Sequence, residues 1–112
     1  MENSILSDIK ALRNIEDDNY AYDRELVSDI NSAISKLWQL GVGPDEGFAI
    51  TGTSETWADL AGDDKRLNLI KSYVEKDVQL KFDPPSNGFL VTMIQEELKE
   101  LTWRIQVVAD KK

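Results

Sequence analysis

FDPPSNGFL, residues Phe82 to Leu90, decides how this chain is arranged. Asp83 precedes a proline, and the clash with the pyrrolidine ring pushes it out of the helical region. Pro84 and Pro85 then lack the N–H groups that a continuing helix needs. Ser86 or Asn87 offers a side-chain oxygen to cap what starts next. On both sides of this stop, apolar residues recur at helical spacing: Leu67, Ile70, Val74, Val78 and Phe82 before it, and Leu90, Ile94, Leu98, Leu101, Ile105 and Val108 after it. The stretch therefore predicts a helical hairpin, with the chain's third helix over residues 63–82 and its fourth over 86–109. Asp63 or Asp64 is the expected cap of the third helix, and Glu100 with Arg104 forms an i,i+4 pair on the fourth.

Both arms carry a second apolar set. Leu69, Tyr73 and Leu80 lie about 120° to 160° around the third helix from the centre of its main stripe. Phe89, Met93, Trp103 and Val107 lie on the far side of the fourth, with Trp103 pointing almost directly away from the stripe. A helix that is apolar on two sides must be covered on two sides. Either the first helix and the glycine-rich loop cover them within one chain, or a neighbouring subunit does.

Upstream, Ser4 caps a first helix within residues 1–14, with Ile5, Leu6, Ile9 and Leu12 on its apolar side. The second helix, over 23–40, places Leu26, Val27, Ile30, Ala33, Ile34, Leu37 and Trp38 on one stripe opposite a polar face, with Asp23 as its cap and Trp38 in the core. Gly41 ends it, because glycine reaches the left-handed conformation without steric cost. Residues 41–62 hold five of the six glycines and predict a loop with one short helix. Phe48 to Ile50 reads as a short extended piece, and Thr53 or Ser54 caps a helical turn through Leu60. Trp57 is read as the anchor of that loop, with projection to a partner as the alternative. The expected fold is a single all-α domain over residues 1–112, a small bundle of four to five helices.

Composition narrows the chemistry. With 112 residues, 41% hydrophobic and 30% charged, the chain has the make-up of a globular domain that buries about two thirds of its unfolded surface. It contains no cysteine and no histidine. Disulfides, thiolate nucleophiles, the usual zinc sites and the commonest general base are thereby excluded. Asp17, Asn19, Asp23 and Glu25 resemble a calcium loop, but counting from Asp17 puts Tyr22 at the glycine position and Ser28 at the bidentate glutamate position. Gly41 and Gly43 form a GxG that follows a helix rather than a strand, so a dinucleotide site fails on context. Glu16, Asp17 and Asp18 remain the candidates for a carboxylate-dependent enzyme, yet nothing places two carboxylates on facing elements. No cofactor or metal is expected.

Charge is unevenly distributed. Residues 1–64 carry 14 acidic and 4 basic side chains, whereas residues 65–112 carry 7 and 9, for a net charge of −8. Such a chain lacks a basic stripe for phosphate and is not expected to grip nucleic acid. The N-terminal stretch has no basic region followed by an apolar core, and no run is long enough to span a membrane, so an intracellular product without membrane contact is expected.

Four stretches carry a resemblance: NSAISKLWQLGVGPDEGF, TWADLAGDDKRLNLIKSYV, FDPPSNGFL and IQEELKELTWRIQV. Together, from about Ile15 to Ala109, the chain closely resembles the small helical head-to-tail connector (adaptor) proteins of long-tailed bacteriophages and prophages. It departs from that pattern at Thr102, where relatives often carry an acidic residue, and at Lys76 and Gln79, which make the third helix more polar than usual.

The resemblance implies a structural role rather than an enzymatic one. Its elements are a homo-oligomeric ring beneath the portal protein, contact with the stopper or tail-completion protein, DNA passing through without specific binding, and a place in the virion neck after assembly in the host cytoplasm. The interface candidates for neighbouring subunits or portal are Leu69, Tyr73, Leu80, Phe89, Met93, Trp103, Val107, Asp110, Lys111 and Lys112. Phe48, Ile50, Thr53 and Trp57 are the candidates for a tail-side loop. Glu16, Asp17, Asp18, Asp45 and Glu46 are the candidates for an acidic channel lining, where like charge keeps DNA from adhering. The alternative is a monomeric or dimeric interaction domain that binds a host or phage protein through the outer face of the fourth helix.

Overall fold

The computed structural model describes residues 4–110, with side chains as far as Val107. Five helices follow one another: α1 (Ile5–Leu12), α2 (Asp23–Gln39), α3 (Trp57–Ala61), α4 (Leu67–Phe82) and α5 (Gly88–Asp110). The fold is all-α, as the periodicity predicts; a single β-bridge between Ser4 and Thr56 is the one extended pairing among the described residues. Helix α4 is central, with α2 packed on one flank and α5 on another. Lys36 of α2 reaches Asp77 of α4 at 3.1 Å, and Lys76 of α4 reaches Glu97 of α5 at 2.7 Å. Ile5, Leu6 and Ile9 of α1 and Trp57 and Leu60 of α3 complete one core with Leu26, Ile30, Ile34, Leu37, Ile70, Val74, Val78 and Ile105.

The hairpin turns where the sequence stops the helix. Asp83 adopts φ −145°, ψ 62°, outside the helical region, as a residue before proline should. Asn87 Oδ1 then accepts from Phe89 N at 2.8 Å, satisfying one of the free donors of the first turn of α5. Arg13 approaches Asp83 at 3.5 Å and Tyr22 meets Phe82 edge-on at 5.5 Å, so the end of α1 and the start of α2 lie against this turn. At the other end of α2, Gly41 sits at φ +87°. Its N–H donates to Trp38 O and the Val42 N–H to Leu37 O, a Schellman closure that uses the backbone freedom of glycine.

Several local expectations are corrected. Asp23 does not cap α2: it is the first helical residue, and its carboxylate turns to Lys10 at 2.9 Å. The cap of α3 is Thr56, not Thr53 or Ser54; its side chain accepts from Asp59 N while Asp59 accepts from Thr56 N, a reciprocal capping box. Helix α4 begins at Leu67 because Asp64 folds a turn of its own, accepting from Arg66 N at 2.9 Å and from the Arg66 guanidinium at 2.8 Å. Trp38 is 46% exposed rather than core, since it lies on the flank of the α2 stripe and its Nε1 donates to Pro44 O at 3.1 Å. Phe48 to Ile50 is irregular: Asn31 donates to Ile50 O at 3.0 Å and accepts from Ile50 N at 2.7 Å, doing for one residue what a neighbouring strand would do. In place of a Glu100–Arg104 pair, α5 carries Glu96 with Lys99 at 3.3 Å.

Among the described residues, three charged side chains are buried. Lys10 is held by Asp23, by Asp17 O at 3.0 Å and by the face of Tyr20 at 5.3 Å, so it fastens the α1–α2 connection to the core. Arg66 joins three elements: it binds Asp64 and donates to Gly41 O at 3.2 Å and Ile105 O at 3.4 Å. Asp77 lies between Lys36 and Lys81. Each is paired, as a charge withdrawn from water must be.

Candidate assembly surfaces

Helix α5 is buried along one side from Ile94 onward, Leu90 at its start being 45% exposed rather than in the core, and it is bare along the other. Ile94, Leu101 and Ile105 face the core, and Leu98 packs against it. On the opposite side Phe89 is 70% exposed, Met93 44% and Trp103 64%. These three, with Thr92, Glu96, Glu97, Lys99 and Glu100, line an open groove formed along α5 alone. A row of large apolar side chains in water on one helix face is the mark of a surface meant to be covered.

Two smaller apolar patches lie elsewhere. Leu12, Tyr20 and Tyr22 are exposed near the end of the molecule where α1 ends and α2 begins. At the other end of α2, Trp38 and partly buried Phe48 flank a shallow site with Ser35, Glu46 and Gly47. Acidic residues stand in the connecting segments near both, although Arg13 and Lys76 lie beside Leu12 and Lys10 lies over Tyr20. Glu16, Asp17 and Asp18 are exposed on the α1–α2 connection, where Asp17 Oδ1 accepts from Ser7 Oγ at 3.1 Å, and Asp45 and Glu46 are exposed on the loop after α2. Among the described residues, no group of three or more acidic side chains is gathered to hold a metal.

A family model described as "Phage connector protein" matches residues 5–112. The chain belongs to the phage connector family. Comparison with curated proteins and with solved structures gave no match. As a phage connector, the protein interacts with other head or tail proteins of a phage. Among its described residues, no helix is long and apolar enough to cross a membrane.

The connector's second apolar sets part company. Tyr73 is buried and Leu69 packs against the core, so α4 is covered within one chain; Tyr73 is withdrawn from any contact surface, and Leu80 is partly buried. Burial, reinforced by the nearby Asp77 carboxylate, raises the Tyr73 hydroxyl pKa above its ordinary value. On α5, Phe89, Met93 and Trp103 stay in water, with Val107 partly buried beside them. The side chain of Asp110, and Lys111 and Lys112 altogether, lie outside the described residues. In the loop after α2, Thr53 is exposed and Phe48 half-buried, but Ile50 and Trp57 are buried and unavailable to a tail-side partner. Trp57 is the loop anchor, with Nε1 donating to Asp8 Oδ2 at 2.7 Å and Lys71 5.7 Å from its ring.

The loop itself is braced by Glu55. Burial pushes this carboxyl up, but the Thr51 N–H at 3.1 Å and the Thr51 hydroxyl at 2.8 Å outweigh it and hold the group below its ordinary range. Exposure of Tyr20 and Tyr22 escaped the periodicity because they lie in an irregular connection. Their signal was compositional: two tyrosines within the acidic stretch NIEDDNYAYD have few core positions to reach.

Proposed function

We propose that this phage connector is a head-to-tail adaptor: copies close into a ring beneath the portal, extend the DNA exit channel and meet the stopper or tail-completion protein in the neck of the virion, after assembly in the host cytoplasm. The observation that carries this reading is the exposed row Phe89, Met93 and Trp103 on a helix whose other side is already in the core. A chain that has finished its own packing and still presents such a row is built to join another surface.

Closing a ring head-to-tail requires two different patches on each copy. Leu12–Tyr20–Tyr22 and Trp38–Phe48 stand near opposite ends of α2, which at 17 residues is about 25 Å long. They supply such a pair. The exposed carboxylates of Glu16, Asp17, Asp18, Asp45 and Glu46, in a chain of net charge −8, suit a channel that repels the phosphate backbone, so DNA passes without being held. Leu69, Leu80 and Val107, half-buried at the margins, and the C-terminal Asp110, Lys111 and Lys112 belong to this reading as accessory contacts, and Thr53 with Phe48 as the tail-facing loop.

Electron microscopy of the protein mixed with its cognate portal tests the proposal. The expected image is a ring coaxial with the portal that lengthens its channel. Portal particles without added density, beside a monomeric connector, would instead support an interaction domain that works outside the neck.

A further inference from the structure

We propose that the outer face of α5 receives a basic amphipathic helix from a different protein of the neck, not a second copy of this chain. At 100° per residue, Phe89, Met93, Glu96, Glu100, Trp103 and Val107 fall within a stripe about 80° wide, and from Phe89 to Val107 it runs about 27 Å. Its order is apolar, acidic, apolar. Of the charged residues lining the groove, three are carboxylates and one, Lys99, is an ammonium. Glu97 is already answered by Lys76 from α4. Glu96 meets Lys99 at 3.3 Å with both side chains largely in water, a contact that water and salt weaken. The middle of the stripe therefore retains negative charge.

That pattern argues against self-pairing. Its acidic zone lies midway between the two apolar zones, so two copies of α5 set face to face, parallel or antiparallel, bring Glu96 and Glu100 against Glu96 and Glu100. Like charges opposed across an interface penalise the wrong partner. Of the other exposed large apolar residues described, Leu90 lies on α5 itself, Tyr20, Tyr22 and Trp38 lie in the half with 14 acidic and 4 basic side chains, and Leu12 stands beside Arg13 and Lys76, which already meet Asp83 and Glu97, so none sets a run of basic side chains against the acidic stripe. A complementary surface places a lysine or arginine between two apolar anchors on one helical face, the way helices seat in grooves. Trp103, large and 64% exposed, is the anchor whose burial contributes most. Assigning the occupant to the neck rests on the adaptor reading above; the chemistry of the occupant does not.

The test uses two synthetic amphipathic helical peptides with identical apolar positions, one with lysines and one with glutamates facing the Glu96–Glu100 zone. The parent protein, the double variant Glu96→Lys/Glu100→Lys and Trp103→Ser are compared by calorimetric binding and by sedimentation of the protein alone. The parent is expected to bind the lysine peptide on the order of tenfold more tightly than the glutamate peptide. The double variant should reverse that preference and Trp103→Ser should weaken both, with the protein's own mass distribution the same in all three. Equal or absent binding of the two peptides by the parent, or a changed self-association in the double variant, overturns the proposal. A ring on the portal without the peptide preference refutes this inference and leaves the adaptor reading intact; the preference without a ring does the reverse.

Discussion

Asp77 shows how single residues set the interior of this connector. Its buried carboxylate takes Lys36 at 3.1 Å from α2 and Lys81 at 3.4 Å from its own helix, and Lys81 also donates to Ser32 at 2.6 Å. Burial pushes the Lys36 ammonium pKa down, but the hydrogen bond and charge of Asp77 outweigh it and leave the pKa raised. A raised ammonium contributes stability that is complete below its unfolded pKa and is lost as pH rises through the folded one. Asp77→Ala strips the buried acceptor from two lysines that water partly screens, so it should lower stability by about 1 kcal/mol at neutral pH and remove the Lys36 contribution to the pH dependence of stability at alkaline pH. Chemical denaturation across the alkaline range measures both.

Glu75 is the opposite case. Burial raises its pKa despite Lys76, Lys71 and Arg13 nearby. The folded state then holds its proton more tightly than the unfolded state, so ionised Glu75 weakens the fold at neutral pH and the penalty is relieved as pH falls through the raised value. Glu75→Gln should melt slightly higher than the parent at neutral pH, with the difference closing on acidification. None of these environments was legible in the sequence. Helical spacing assigns Lys10 and Asp77 to the flanks of their stripes, and the partners that bury them come from other elements.

At the scale of elements, sequence and structure agree where the determinants are local. The Pro84–Pro85 stop, the Asn87 cap, the Ser4 cap and the Gly41 closure each depend on residues within a few positions, and each appears as expected. Gly41→Ala should cost about 1 kcal/mol. A Cβ there meets nothing within 4 Å, so the loss would be the strain of φ +87° alone, and thermal melting of the variant measures it. Element boundaries were illegible where several acceptors compete. Thr56 outcompetes Thr53 and Ser54 because Asp59 stands three residues on to reciprocate, and Asp64 turns to Arg66 before α4 can start. Asn31, the brace of Ile50, could not be read because it lies 19 residues away in sequence.

At the scale of the molecule, α4 and α5 look alike in sequence and differ in the fold. Both carry a second apolar set, but α4 stands between α2 and α5 with α1 and α3 over it, while α5 forms an edge. Periodicity reports which residues share a face and is silent on which helix occupies the middle, so the exposed row on α5 was legible as a pattern and not as a surface. The family resemblance supplied what no local motif carries, a role as a connector.

On the adaptor reading, that row serves assembly rather than folding. Trp103→Ser tests this most directly, with melting temperature and co-sedimentation with the cognate portal and tail-completion proteins measured on the same preparation. An unchanged melting temperature, with a mutational effect within about 0.5 kcal/mol as for an ordinary surface site, together with lost co-sedimentation, is the predicted result. Intact co-sedimentation, or a markedly lower melting temperature, would contradict it.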